Sequence, residues 1–298
     1  MWGQYWPFQG INIFDHLDHE VRLVNREAKF DIGITDVPFD TATSYRPGAR
    51  FGPRALRAAL QRQTCLREYK TQANLNPYKD WFTIMDCGDI PVTPMDNDLA
   101  FQQMTMAFEE LLFEHSSGKQ PARYVALGDK HSILLPRLRV LRKLYGPVNI
   151  IHFDAHLDTW KPDKYSSFCH TLQSQVNHDS MIWNIVERVL KDFPTNIGVD
   201  IDVLNPSFGS GTGTQEPGGW LPRELIYIQR RLDELSIVSA DVFEVNPHFD
   251  HAEITGTNGA QIVYEILTSM VEKGPLKLPF IWYSRTTKMP SLNTDVAK

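Results

Sequence analysis

Two apolar runs, each closing on ionisable residues spaced two apart, constrain this chain more than any other feature. The run 148–153, introduced by Gly146 and Pro147, is short and rich in β-branched residues. That composition predicts a buried strand rather than a helix. It stops abruptly in Asp154, His156 and Asp158. The run 196–206 repeats the form, with Asp200 and Asp202 at the same spacing. Side chains alternate along a strand, so residues at i, i+2 and i+4 converge on one side of its mouth. Two carboxylates and an imidazole that close repel one another or stay partly protonated unless a divalent cation compensates them. A polar strand end with solvated acids is the plain reading of one such motif. The second set downstream argues against it.

The rest of the chain alternates in a way that brings the two sets together. Strands are predicted over 29–37, 81–86, 124–127, 148–153, 197–203 and 237–245, with helices over 54–63, 99–115, 134–145, 185–191, 222–232 and 260–271. This pattern predicts an α/β fold, a three-layer α-β-α sandwich whose mainly parallel sheet is covered on both faces. No linker interrupts the chain, and 298 residues with 42% hydrophobic content suffice for one large core, so a single domain over 1–298 is expected. The carboxyl ends of parallel strands share one edge, where such folds place their sites. His131 reaches that edge through the turn Gly128-Asp129-Lys130. Four carboxylates and two imidazoles are enough for two metal ions. Oxygen and imidazole ligands without a thiolate favour Mn²⁺ over Zn²⁺, Fe²⁺ or Co²⁺.

Elsewhere the polar residues read as scaffold. Asp40, Arg46 and Arg50 in the loop 38–53, with Arg54 directly after it, pin neighbouring loops or clamp carboxylates. Asp86 and Asp89, around Cys87 and Gly88, read as turn formers ahead of the alternative, acids that support the ligands of a site at that strand end. A net charge of −6 without a basic stripe argues against nucleic acid. No stretch reaches the roughly 18–20 apolar residues of a membrane span. The start MWGQYWPFQG lacks a basic segment and a long apolar core, so no signal peptide is read there. Its Trp2, Tyr5, Trp6 and Phe8 are expected to pack on the domain or a neighbouring subunit. The three cysteines, Cys65, Cys87 and Cys169, lack metal-type spacing and fit a reducing compartment, so a cytoplasmic location is expected.

DAHLD at 154–158, VDIDVLNP at 199–206, GTGTQEPGG at 211–219 and GITDVPFDTATSYRPGARFGPRALRAA at 33–59 resemble the ureohydrolases, the arginase and agmatinase family, and within it the agmatinase branch. The resemblance runs over 1–272. It implies an arginase-like fold and two Mn²⁺ per subunit. His131, Asp154, Asp158 and Asp200 would hold one ion, and His156, Asp154, Asp200 and Asp202 the other. Two such ions make hydroxide available near neutral pH. Asp158 would hold the hydroxide's proton. His178 matches the family's proton-shuttling histidine, with a surface loop histidine as the alternative. Glu244 would pair with the substrate's guanidinium, since a carboxylate fits a planar cationic fork. Thr212 and Thr214 would shape the cavity floor. The implied substrate is a small guanidino compound, agmatine cleaved to putrescine and urea, with guanidinobutyrate as the nearest competitor. A homo-oligomer is implied as well.

The chain departs from that family in several places. Asp129 and Lys130 stand before His131 where the family carries a glycine and an aspartate that orients the ligand. Lys130 brings positive charge towards the expected cations. Asp179 replaces a glycine after His178, and Asn205 an aspartate before Pro206. After Trp183 roughly fifty residues are lacking, more than ordinary loop variation. These departures sustain a second reading, a non-catalytic relative acting as subunit or regulator.

Overall fold

The computed structural model describes residues 11–25, 27, 29–41, 43, 45–61, 63, 68–114, 121–128, 130–156 and 193–276. Asp158, His178, Asp129, Asp179, the predicted helix 185–191, the amino-terminal aromatics, Cys65, Cys169 and the tail lie outside them.

Among the described residues six strands form one sheet: β1 Ile32–Val37, β2 Ile84–Asp89, β3 Arg123–Gly128, β4 Asn149–Phe153, β5 Pro194–Asp200 and β6 Ser236–Phe243. Their order is β2-β1-β3-β6-β5-β4, and every pairing is parallel. β5 and β6 are buried along their whole length, as strands covered on both faces must be. Leu56 of α1 Gly52–Ala59, Leu225 and Ile228 of α4 Pro222–Arg230, and Val263 and Leu267 of α5 Ile254–Glu272 join the core on one face. Met104 and Phe108 of α2 Asn97–Glu114 and Val140 and Leu144 of α3 Leu134–Tyr145 join the core on the other. The fold is therefore the expected α-β-α sandwich.

Several boundaries differ from the sequence reading, each for a physical reason. α5 starts at Ile254 rather than 260, although Gly256 and Gly259 weaken helix propensity there. Asp250 offsets that cost by accepting the amides of Thr255 at 2.9 Å and Gly256 at 3.0 Å. β2 runs through Cys87 and Gly88 to Asp89, so Asp86 and Asp89 are not turn formers; both carboxylates bind Arg57. β5 ends at Asp200 and a 3₁₀ turn, Ile201–Val203, follows it. β6 ends at Phe243, one residue before Glu244. Among the described residues no helix is long and apolar enough to cross a membrane.

Candidate metal centre

Asp154, His156 and Asp202 lie beyond the strands that deliver them and Asp200 is the last residue of its own, so strand alternation does not by itself aim the two motifs. Asp154 follows the last residue of β4, and its Oδ1 accepts the His156 amide at 2.7 Å. Asp200 closes β5, and its Oδ1 accepts the Asp202 amide at 2.9 Å. The two motifs adopt the same local form, an aspartate bonding the backbone two residues on, which tightens the chain and holds the second side chain beside the first. A third bond links them, with the Ala155 amide donating to Asp202 Oδ1 at 3.1 Å.

Sheet order then decides which side chains meet. β6 lies between β3 and β5, so Glu244 falls between His131, which follows β3, and Asp200. These three form one group whose ligand atoms lie within 4.8 Å of one another. His131 Nδ1 is 3.3 Å from Glu244 Oε1. Among the described residues β4 pairs only with β5, so Asp154 and His156 meet Asp202 in a second group of the same compactness. There His156 Nδ1 is 2.8 Å from Asp202 Oδ2 and 3.4 Å from Asp154 Oδ1. Of the expected ligands and catalytic groups, the structure thus gathers His131, Asp154, His156, Asp200, Asp202 and Glu244. Their grouping differs from the expected one, since Glu244 stands beside His131 and Asp200 within ligand distance.

The electrostatics show what this edge lacks. Asp154, Asp200, Asp202 and Glu244 are all buried, at 3%, 2%, 1% and 7% exposure. Among the described residues, Lys130 is the one Lys or Arg within ion-pair distance of any of them. Burial pushes the Asp200 carboxyl well above the usual carboxylate range, and the charges of Asp202, Asp154 and Glu244 push it further. Burial raises Asp202 too, against the opposing hydrogen bond of His156. Asp154 goes the other way: burial would raise it, but hydrogen bonds with His152 and His156 hold it at about 2. The same bonds, with Asp154 first and Asp202 second, push the His156 imidazole up to about 11. Buried carboxylates that remain mutually repelling fit a divalent cation, and the oxygen-plus-imidazole donor set suits one of the first-row metals.

Three further residues support the groups. His152 is fully buried, its Nε2 lies 2.9 Å from Asp154 Oδ2, and its ring stacks on Phe243 at 5.3 Å. Only glycine fits opposite it, because a Cβ at Gly198 would stand 2.7 Å from His152 Nδ1. From the loop 211–219, the Thr214 hydroxyl donates to Asp202 Oδ2 at 3.2 Å, and Glu216 Oε1 lies 3.3 Å from His156 Nε2. A carboxylate on the far nitrogen of a ligating imidazole fixes its tautomer and orientation. His152 and Glu216 were missed from the sequence. The signals were a lone imidazole inside an apolar strand and the acid of a glycine-rich loop. The loop 38–53 is pinned as expected for Asp40, which accepts the amide of Gly48 at 2.6 Å and of Arg50 at 3.2 Å.

A family model described as the Arginase family matches residues 30–192 and 173–268. The two matches share 173–192, where the sequence departs from the family pattern after Trp183. A Schizosaccharomyces pombe protein with the provisional name agmatinase 1 is similar at 35% identity, covering 89% of this chain and 83% of its own. That comparison runs over 328 positions, more than the 298 residues here, so the relative carries residues without a counterpart. An agmatinase of Neisseria meningitidis serogroup C is 32% identical over 86% of this chain and 92% of its own. Among solved structures, proclavaminate amidino hydrolase from Streptomyces clavuligerus superposes with a TM-score of 0.79 at 27% identity, covering 90% of this chain and all of that one.

Proposed function

Since the chain belongs to the arginase family, we propose that it is a metal-dependent hydrolase of a linear guanidino compound, with agmatine as substrate and putrescine and urea as products. The observation that carries this reading is the pair of compact donor groups at one sheet edge, His131 with Asp200 and Glu244, and Asp154 with His156 and Asp202. Bound by these residues, two Mn²⁺ ions would supply a nucleophilic water at neutral pH and screen the carboxylates from one another. Asp158 and His178 complete the proposal as ligand and proton carrier.

Hydrolysis forms a bond from the water oxygen to the guanidinium carbon and breaks the bond from that carbon to the alkyl nitrogen. Both water protons finish on the leaving amine. The residues in hand do the positioning. His152 and the His156 amide fix the two oxygens of Asp154. Thr214 and the Ala155 amide do the same for Asp202. Glu244 has a left-handed backbone, φ 61°, uncommon for a residue with a side chain, and its carboxylate is held over the His131 amide at 3.4 Å.

The test is urea release from agmatine, and in parallel from guanidinobutyrate, by protein reconstituted with Mn²⁺, with Asp154→Ala as control and a metal count per chain. Urea that vanishes in the control is the expected result. Folded protein that binds no metal and releases no urea from either compound overturns the reading. It would leave the non-catalytic relative, which the buried Lys130 beside Glu244 favours.

A further inference from the structure

β6 ends at Phe243 and the chain turns at once, with Glu244 in left-handed backbone. A residue with a side chain keeps that conformation only where its surroundings impose it. Two residues on, Asn246 is fully buried and ties the turn to two loops. Its backbone amide donates to Gly211 O at 2.7 Å, at the start of the loop that carries Thr214 and Glu216. Its Nδ2 donates to Pro47 O at 3.0 Å, in the loop 38–53. Its Oδ1 accepts the His248 amide at 3.3 Å and closes the turn on itself. Glycines record how closely these three stretches fit. A Cβ at Gly48 would stand 2.6 Å from Asn246 Oδ1, one at Gly52 2.3 Å from Val245 O, and one at Gly213 3.2 Å from Arg46 O. The Arg46 guanidinium adds a stack on Phe249, 4.9 Å from the ring centre.

We infer that Asn246 is a positioning residue: by knotting the loops 38–53 and 211–219 to the turn after β6, it holds Glu244 left-handed and fixes where that carboxylate stands. Glu244 lies beyond the last residue of β6, so the ladder of the sheet does not set its backbone. The knot two residues away does. Its side chain has to donate to the Pro47 carbonyl and accept from the His248 amide, and at this length only asparagine offers both. Aspartate, of the same size, keeps the acceptor, loses the donor and sets a charge against a carbonyl oxygen. A carboxylate that meets a planar cation through two parallel bonds works only in one place. Misplacement by about 1 Å costs on the order of 100-fold in rate. The inference rests on the guanidino-hydrolase reading proposed above and names a residue that acts through Glu244 without touching the substrate.

The experiment compares wild type, Asn246→Asp and Asn246→Ala as the full chain reconstituted with Mn²⁺, by urea release from agmatine and by crystallography. Asn246→Asp keeps the volume and the His248 bond and removes the bond to Pro47. Asn246→Ala introduces no buried charge and carries the test if the aspartate does not fold. Both are expected to lose about 100-fold in kcat/KM, with the Glu244 carboxylate displaced by about 1 Å. On a Glu244→Gln background the same substitutions are expected to change kcat/KM little, because the group they position is already gone. An equal fold-loss on both backgrounds shows an asparagine that serves the fold alone, and overturns the inference. So does an unchanged kcat/KM, or a loss of activity with Glu244 still in its wild-type place. If wild type releases no urea from agmatine or guanidinobutyrate, the hydrolase reading fails, and the crystals of the variants decide the inference by themselves. A displaced Glu244 then sustains the hold of Asn246 on it, and an unmoved one overturns it.

Discussion

At the ends of β1 and β2, three carboxylates converge on one arginine, whereas along β3, β6, β5 and β4 four carboxylates converge with one lysine at their margin. In the first cluster Arg57 Nε and Nη2 reach the two oxygens of Asp86 at 2.8 and 2.7 Å. Its Nη1 contacts Asp36 and lies 2.8 Å from Asp89. Burial would raise Asp86, but the guanidinium, with the amides of Phe14 and Gly88, holds it below the usual range. The planar fork satisfies both oxygens of Asp86 and one of Asp36, so the cluster holds its own cation, although burial still pushes the Asp36 carboxyl well above the usual range. In the second cluster the side chains differ little in kind, yet their charge is left over. One sheet edge therefore carries both a joint and a site, and the position of one guanidinium separates them.

That comparison breaks most decisively at Arg57. Arg57→Ala leaves Asp36 and Asp86 buried without their cation, and such losses cost about 3–5 kcal/mol. Urea denaturation at pH 7 should show a loss of that order, with Asp89 contributing little because its side chain is 55% exposed. A loss within a few tenths of wild type would mean that the arginine does not hold this edge together.

At the other cluster the sign reverses. Asp200→Asn keeps an oxygen for the Asp202 amide but removes one of the mutually repelling charges, so the metal-free chain should gain about 0.5–2 kcal/mol. The same variant should lose the response to metal. Wild type gains about 2.7 kcal/mol when free Mn²⁺ is a hundredfold above its dissociation constant, and thermal unfolding with and without Mn²⁺ measures both effects. Asp86→Asn, tested alongside, should only destabilise. If the two asparagine variants shift stability in the same direction, the distinction between joint and site is lost.

How much of this edge the sequence discloses follows from the range over which each feature is encoded. The two acid motifs are local, and their spacing alone announces ligands. Their geometry is local as well but was misjudged: the side chains are set by aspartate-to-amide bonds in turns, not by strand alternation alone. Which acid meets which histidine is not local at all. It depends on β6 lying between β3 and β5, and no spacing records that order. Asp86 and Asp89 read as turn formers because their partner Arg57 is 29 and 32 residues away on a helix whose arginines look alike. Likewise, the helix start at Ile254 is hidden by its own glycines, and only the distant-looking Asp250 reveals it.

Asp15 extends the comparison to a third case, a buried carboxylate with no ion pair to Lys or Arg among the described residues. It sits in the 3₁₀ turn Phe14–His16 with a left-handed backbone, φ 48°, and is fully buried. Burial pushes its carboxyl up to about 7, with Tyr78 opposing and Glu68 adding to the rise. Where Asp86 has an arginine, Asp15 is left to take a proton. The folded chain then holds a proton that the unfolded chain has released between pH 4 and 7, so stability from this group is full below that window and declines as pH rises through it. Asp15→Asn, neutral at every pH and of the same size, should match wild type near pH 4 and exceed it by about 3–4 kcal/mol at pH 8, the linkage cost of a shift of about three pH units. Parallel losses in the two proteins between pH 5 and 8 would show that Asp15 keeps its charge, and that a partner outside the described residues supplies what arginine supplies at Asp86.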